Sequence, residues 1–189
     1  MEVVENIAAN TSAFSVVAEI DAHAPAREAL LDRAMGPCRG RKSSEKLRRG
    51  RRPSEGLAFV ARDAAGTVVG TVRLWDVTLG EGGAPALLLG PLAADPSLKN
   101  AGIGKALMRH AISEAARLGH RAVLLVGDAP YYARFGFSAE KTRALAMPGP
   151  YEQSRFLALE LAEGALDDAR GVLQPAGRRS RPEALRLAA

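Results

Sequence analysis

The chain has 189 residues, with 47% hydrophobic and 25% charged side chains and a formal net charge of +5 at pH 7. This length and balance are ordinary for a globular protein and predict one domain with a full hydrophobic core. No apolar run approaches the roughly 18 residues that span a bilayer, and the acidic N-terminus lacks the positive region of a secretory signal, so we expect a cytoplasmic protein without membrane contact.

The first third of the chain predicts a strand, a helix and then a basic segment. Residues 14–20 are rich in β-forming side chains, and the apolar spacing over 24–35 is typical of a helix, with Asp21 as candidate N-cap. The basic segment, Arg39 to Arg52, holds eight Lys or Arg residues against one acid, Glu45.

The basic segment is compatible with nucleic acid, an acidic substrate or a solvated surface. It contains no aromatic side chain that could stack on bases, and no zinc, homeodomain or RNP pattern. We therefore favour a solvated surface segment, with a short helix over 45–49 capped by Ser43 or Ser44, and expect no nucleic-acid partner.

A β-hairpin is the strongest local prediction in the first half. Residues 57–62 and 67–77 are β-rich and are joined by four turn-type residues. After a glycine-rich loop, residues 86–94 predict a strand buried on both faces. Gly90 and Pro91 interrupt this strand, which indicates a bulge or a place where a ligand approaches the backbone.

A βαβ unit follows the hairpin. Apolar side chains recur every four residues over 102–118, Gly119 ends the helix, and residues 122–126 form another buried strand. Such a unit has parallel strands and places the helix N-terminus at the carboxyl end of the first strand, where open α/β sheets bind ligands.

The last part of the chain is less regular. Residues 131–135 predict a short helix after the candidate N-cap Asp128, and a short strand follows Phe137. The last clear strand covers 156–161, and 171–174 is a possible further strand. We therefore expect a domain over 1–165, followed by a C-terminal strand and basic tail over 166–189.

The glycine-spaced loop before the long helix has three phosphate-binding interpretations. A Walker loop fails at two positions, because Gly104-Lys105 is followed by Ala106 and Lys99 stands where the first glycine belongs. A dinucleotide fingerprint fails because position 107 is Leu. The pattern that remains is a basic residue or Gln, two residues of any type, Gly, one of any type, and Gly or Ala.

With this pattern, the stretch from Leu57 to Leu161 resembles the GNAT superfamily of acetyl-CoA-dependent N-acetyltransferases, most closely its predicted bacterial YhbS-type group. The resemblance implies an α/β (α+β) fold with a mixed, largely antiparallel sheet of six to seven strands and about four helices, splayed at the βαβ unit. It also implies acetyl-CoA as co-substrate. The residues expected to hold the pantetheine arm are Leu92, Ala93 and Ala94, and those expected to hold the pyrophosphate are Lys99, Asn100, Ala101, Gly102, Ile103, Gly104 and Lys105.

The resemblance further implies a general acid in the sequence Tyr132-x-x-x-Gly136-Phe137. Tyr132 matches the family's usual proton donor to the departing thiolate, and Tyr131 is the alternative. A phenol with a pKa near 10 keeps its proton at neutral pH, as this role requires. The structural alternative is that both tyrosines only cap the core.

The residue that takes the amine's proton is less well marked. Asp76, Glu81 and Asp128 are candidates by chain order, and Asp76 is the one carried forward. Trp75 either lines the acceptor pocket or is an ordinary strand residue. Residues 27–52 and 78–85 are expected to shape that pocket.

Two functions from different classes remain at this point. The first is acetyl transfer to a primary amine of a small molecule or protein, by direct attack in a ternary complex, without a metal because the three histidines lack ligand spacing. The second is a non-catalytic module of the same fold that binds an acyl-CoA. The chain is expected to act as a monomer or homodimer.

Overall fold

Residues 13–180 are described by the computed structural model, and they form nine strands and four α-helices. The acidic N-terminus before residue 13 and the end of the basic tail, 181–189, lie outside the described residues. The strands are β1 (Phe14–Ala18), β2 (Ala58–Asp63), β3 (Val68–Thr78), β4 (Pro85–Ala94), β5 (Ala122–Val126), β6 (Leu145–Ala146), β7 (Phe156–Glu160), β8 (Gly171–Val172) and β9 (Gln174–Pro175). The helices are α1 (Ala24–Met35), α2 (Glu45–Arg48), α3 (Ile103–Arg117) and α4 (Ala129–Ala133).

Seven strands form one sheet in the order β1-β2-β3-β4-β5-β7, with β9 on β3. All of its neighbours are antiparallel except β4 and β5, which are parallel and joined by α3. Strands β6 and β8 make a separate parallel pair. The mixed, largely antiparallel sheet and its βαβ unit are confirmed.

Helix α3 packs on one face of the sheet through its apolar stripe. Ile103, Leu107 and Met108 are buried in a core with residues of β2 to β5. Gly70 of β3 permits this close approach, because a Cβ at that position would lie 2.5 Å from Ile103 Cγ2. The first turn of α3 is thereby fixed against the sheet.

Helices α1 and α2 cover the opposite face. Leu30 of α1 packs on Val60 and Val68, and Leu47 of α2 shares a second core with Trp75. Both leucines are fully buried. The segment that carries the basic residues is thus seated on β3 through an apolar side chain.

A bulge and a separation of strands open the sheet beside α3. Val72 pairs with Leu92 and Leu74 with Leu89, so the two residues between them on β4 face a single residue of β3. Those two residues are the predicted Gly90 and Pro91. Parallel pairing of β4 with β5 covers Leu87 and Leu88, and beyond them the strands part.

Several local predictions need correction. Asp21 does not cap α1; it begins a 3-10 turn over 21–23, and His23 occupies the N-cap position. The strand expected after Phe137 is reduced to one bridge, Ser138 with Ala158, because the chain turns into a 3-10 helix at Glu140. The helix predicted at 131–135 is α4, two residues earlier.

The basic segment is helical rather than a loop, but five of its eight basic residues are exposed, as a solvated segment requires: Arg41, Lys42, Lys46, Arg49 and Arg52. It forms a 3-10 helix over 37–41 and then α2, which begins after Ser44 as predicted, although no serine side chain caps it. Arg51 bridges to Arg179, and the Arg52 amide donates to the Arg178 carbonyl at 2.8 Å. The backbone at Arg51 and Arg52 is thus paired with the end of the described chain. Sequence spacing does not reveal these contacts.

Candidate active site

The shape of the loop before α3 is determined by its backbone conformation. Asn100 and Gly102 both have left-handed conformations, with φ of 67° and 79°. These two turns bring the chain sharply into α3, whose first amides have no carbonyl partners within the helix. The peptide groups at this end therefore form a cradle for an anion, favoured further by the helix dipole.

The side chains of this loop take little part in the cradle. Lys99, Asn100, Ala101 and Lys105 are exposed, whereas Ile103 is buried against Gly70. Ile103 thus anchors the loop to the core. The loop is fixed by packing from below and by Asp95, whose carboxylate accepts from the Ser97 amide at 3.0 Å.

The end of β4 leads directly into this loop. Leu92 and Ala94 are half-buried against the α3 core, and Ala93 is buried on the other side. These three residues lie beyond the point where β5 leaves β4, so one edge of the strand faces the open cleft. An extended chain with amide groups fits that edge.

The two adjacent tyrosines of α4 occupy different places. The Tyr131 hydroxyl lies beside the anion cradle, since a Cβ on Gly104 would be 3.0 Å from its oxygen. The Tyr132 ring lies directly on Gly127 at the end of β5, where a Cβ would be 2.1 Å from Cε2. Edge-to-face contacts with Tyr131 and Phe137 fix its orientation.

Burial changes the acidity of Tyr132. Loss of solvent raises the pKa of its phenol to about 12, with further contributions from Tyr131 and Asp128 and an opposing one from Arg155. The phenol therefore keeps its proton throughout the neutral range. Such a group can donate a hydrogen bond or a proton but is a poor neutral-pH nucleophile or base.

A small cavity joins Tyr132 to the bulge. It has a volume of about 80 Å³ and is bounded by Gly90, Pro91 and Leu92 on one side and Tyr132 on another. Its remaining wall is completed by Met35, Lys42, Ser44, Arg48, Leu89 and Val126. The end of β4, the candidate acid and the basic segment thus meet at one point.

A second cavity of about 220 Å³ adjoins the first and shares Arg48 and Pro91 with it. Its charged lining consists of Glu28, Arg39, Glu45, Arg48, Arg49 and Arg73. Trp75 also lines it, while its indole N–H donates to the Gly90 carbonyl and its ring is 6% exposed. Trp75 is therefore both a buried strand residue and part of the cavity wall.

Ion pairs beside the second cavity range from buried, at Glu19, to largely exposed, at Asp32. Glu19 is 5% exposed and pairs with Arg27 of α1 and Arg73 of β3. Arg39 pairs with Glu28 and, at 2.8 Å, with Asp32 of α1. Burial raises the pKa of Glu28, but hydrogen bonds from Arg27 and Arg39 outweigh it and leave that pKa below its usual value.

The structure does not bring the predicted base Asp76 to Tyr132. Asp76 pairs with Leu87, five positions before Leu92 on β4, and its carbonyl accepts from the Ala176 and Gly177 amides. Glu81 lies in the connection between β3 and β4, at that same far end. The signal was available in the sequence, because residues near a hairpin connection lie away from the carboxyl end of its second strand.

Two other expectations have clear outcomes. Asp128 occupies the N-cap position of α4 without a side-chain capping bond. Residues 78–85, expected to shape the acceptor pocket, line a cavity with Arg121 and Ala165 that is separate from the one beside Tyr132. Residues 27–52 do form the walls of the two cavities.

Sequence reasoning did not single out Arg48, which borders both cavities. Its side chain is 11% exposed, and its Nε donates to Glu45 Oε2 at 2.6 Å. Within a run of eight basic residues, spacing alone does not distinguish the one that faces inward. Leu47, the only aliphatic residue between Arg39 and Arg52, was the indication in the sequence that this segment has a buried face.

Residues 13–180 contain no group of three or more His, Cys, Asp or Glu side chains arranged to hold a metal ion. Within the same range, none of the helices has the length and apolar character required to cross a membrane.

Comparison with known families gives a match to the acetyltransferase (GNAT) domain over residues 54–139. This range runs from β2 through the loop before α3 to the residues just after α4. It therefore contains the anion cradle, the open edge of β4 and both tyrosines.

Individual relatives extend the likeness over most of the chain. The uncharacterized N-acetyltransferase YhbS of Escherichia coli (strain K12) is 30% identical over 159 residues, which are 82% of this chain and 92% of that protein. The crystal structure of YhbS from Escherichia coli in complex with CoA aligns with a TM-score of 0.74 at 28% identity, over 86% of this chain and 89% of that one. A GNAT family acetyltransferase from Brucella melitensis in complex with acetyl-CoA shares the fold, with a TM-score of 0.59, 24% identity and coverage of 92% and 99%.

Proposed function

Because the chain belongs to the GNAT acetyltransferase family and is an acetyl-CoA-dependent N-acetyltransferase, we propose that it transfers acetyl directly to a primary amine, with Tyr132 as general acid. The observation that carries this proposal is the meeting of Tyr132 with Gly90, Pro91 and Leu92 around one cavity. The proposed acid and the open edge of β4 therefore face the same cavity, where the thioester would react.

We assign the pyrophosphate to the backbone amides between Lys99 and Lys105 and the pantetheine arm to Leu92, Ala93 and Ala94. The left-handed Asn100 and Gly102 give the cradle its shape, and the unpaired edge of β4 offers peptide groups to an amide-bearing arm. Acetyl-CoA, when bound, supplies the thioester carbonyl and the sulfur that leaves. The exposed Lys99 contributes a point charge without a bidentate contact.

Tyr132 provides the proton at the sulfur. Its raised pKa keeps the phenol protonated, and its packing on Gly127 holds the hydroxyl in one direction. Peptide groups near Leu92 polarise the thioester carbonyl. Tyr131 is assigned to the phosphate cradle instead, because its hydroxyl lies beside Gly104.

The amine loses its proton to water in our proposal. Asp76 lies away from the cavity, and the lowered pKa of Glu28 makes its carboxylate a weak base. We also propose that the acetyltransferase domain continues beyond residue 165, because Gln174 and Pro175 pair with β3.

The test follows thiol release from acetyl-CoA by the full chain with a panel of amines, with mass spectrometry of the products. Tyr132→Phe should lower kcat by roughly 10²-fold or more while the affinity for acetyl-CoA stays within about threefold, because only the transferred proton is lost. Tyr131→Phe is the matched control and should change kcat by less than about fivefold.

Two results would contradict the proposal. Binding of acetyl-CoA without thiol release for any amine would exclude direct transfer. A larger loss of kcat in Tyr131→Phe than in Tyr132→Phe would exchange the two roles. Asp76→Asn adds a third arm, in which a large loss of kcat would restore Asp76 as base.

A further inference from the structure

The second cavity combines charge and size in a way that selects a substrate. Four arginines and two glutamates line it. Arg39, Arg48 and Arg73 each pair with a carboxylate, whereas Arg49 has none within salt-bridge distance among residues 13–180, and one of its Nη atoms donates to the Gly40 carbonyl at 3.3 Å. Three of the four arginines are thus neutralised by carboxylates, and the exposed Arg49 is the one that adds net positive charge to the lining.

Arg48 is the arginine closest to the reacting end. It borders both cavities, and its Nη1 lies 3.8 Å from the position that a Cβ on Gly90 would occupy. Glu45 accepts from Nε, which is the one hydrogen bond that the Arg48 side chain makes among the described residues. The two Nη groups remain available for a planar anion, and Glu45 keeps the guanidinium in place.

We infer that the acetyl acceptor is a small primary amine that also carries a carboxylate, and that Arg48 binds this carboxylate; the inference rests on the proposed acetyl transfer. The guanidinium fork matches a carboxylate in a bidentate arrangement. Because Arg48 also lines the Tyr132 cavity, the carboxylate and the attacking nitrogen are separated by a few bonds. Glu28 and Glu45 attract the ammonium form of the same molecule into the cavity.

The size of the cavity supports a small acceptor. Its volume of about 220 Å³ is below the range of about 300–1,000 Å³ for sites of drug-sized ligands. An amino acid fits this volume better than a nucleoside. Specificity by charge is expected in such a site, because the Nη groups of Arg48, whose side chain is 11% exposed, gain charge-assisted hydrogen bonds only from an acceptor that carries an anion.

The experiment compares amines that differ in one group. Glycine, alanine, 4-aminobutanoate and lysine are each paired with their primary amide, and 3-aminopropyl phosphate tests a phosphate in place of the carboxylate. Thiol release gives kcat/KM for each, and calorimetry on the CoA-loaded protein measures binding of the same compounds. We expect at least one acid to exceed its amide by about tenfold or more in both measurements.

Arg48→Met should reduce the preference for acid over amide, measured as the ratio of the two kcat/KM values, to within about twofold. Arg143→Met is the matched control, because Arg143 is 77% exposed and pairs only with its helical neighbour Glu140 among the described residues. This variant should keep the full preference. Equal affinity for acid and amide, a stronger response to the phosphate, or an unchanged preference in Arg48→Met would overturn the inference.

The same experiment distinguishes failure of the proposed acetyl transfer from failure of this inference. If no amine releases thiol, but binding of an acid to the CoA-loaded protein still depends on Arg48, the transfer proposal fails and the anion site stands. If amines are acetylated without regard to the carboxylate, the transfer proposal stands and this inference fails.

Discussion

The two sides of the active site are built in different ways. On what we propose as the cofactor side, residues 92–105 form a cradle from backbone conformation, with exposed side chains at Lys99 and Asn100 and two left-handed residues. On what we propose as the acceptor side, residues 28–49 form walls from charged side chains held in ion pairs. A site made of backbone is fixed by local sequence, whereas a site made of side chains depends on how distant elements pack.

The largest expected effect tests the dependence of the acceptor side on its ion pairs. Glu19→Gln removes the carboxylate that Arg27 and Arg73 share; Arg27 keeps its pair with Glu28, but the largely buried Arg73 guanidinium is left without a carboxylate. We expect a loss of about 3–5 kcal/mol in the free energy of unfolding. Urea denaturation with an unchanged m-value is the measurement.

Glu140→Gln is the control for this change. The carboxylate of Glu140 is 78% exposed and pairs with Arg143 at 3.5 Å. Solvent screens such a pair, so the unfolding free energy should be nearly unchanged. A similar small effect in both variants would show that the acceptor side does not depend on its buried charges.

The next prediction concerns the backbone of the cofactor side. Gly102 and Gly119 precede and follow α3, have φ of 79° and 83°, and have no atom within 4 Å of a Cβ. Alanine at either position should cost about 1–2 kcal/mol of stability, the strain of a left-handed residue. In Gly102→Ala the free loop relaxes from the cradle conformation, so binding must restore it.

We therefore expect affinity for acetyl-CoA to fall by roughly tenfold in Gly102→Ala and to stay unchanged in Gly119→Ala. Calorimetric titration with acetyl-CoA measures both. Equal affinities in the two variants would mean that the conformation at Gly102 does not contribute to the cradle.

The contrast between the two sides also explains how far the sequence could be interpreted. Gly90-Pro91 and the glycine spacing at 102 and 104 impose backbone conformation locally, so the bulge and the start of α3 were predictable. Helix α1 was predicted over its full length, 24–35, from apolar periodicity. Strand β4 and its parallel neighbour followed from continuous apolar runs.

The acceptor side was not predictable in the same way. The position of Arg48 over the bulge depends on Leu47 packing against the core that contains Trp75, a contact between residues far apart in sequence. The folded state of the basic segment depends likewise on its bridge to Arg179. Charge runs carry no periodic signal that tells which side chains face inward.

Tyr132 lies where the two sides meet, and its burial has a measurable consequence at high pH. Burial raises the pKa of its phenol in the folded state to about 12, whereas the unfolded value is near 10. This group therefore stabilises the fold fully below pH 10, and the contribution is lost as pH rises from 10 to 12. At pH 11 the loss amounts to about 1 kcal/mol relative to pH 8.

Tyr132→Phe removes this titration. As pH rises from 8 to 11, the wild type should lose about 1 kcal/mol of unfolding free energy relative to the variant. Urea denaturation at both pH values measures this change. A constant difference over this range would indicate that the phenol is solvated rather than enclosed.

The smallest expected effect separates side chain from backbone within the cradle itself. Lys99 is exposed and lies at the end of the 3-10 helix over 96–98, so its ammonium reaches an anion only through solvent-screened attraction. Lys99→Ala should weaken acetyl-CoA binding by less than about fivefold, and added salt should reduce that difference further. Calorimetry at two ionic strengths measures it. A loss larger than that of Gly102→Ala would reverse the order of contributions and make the cofactor side, like the acceptor side, a site of charged side chains.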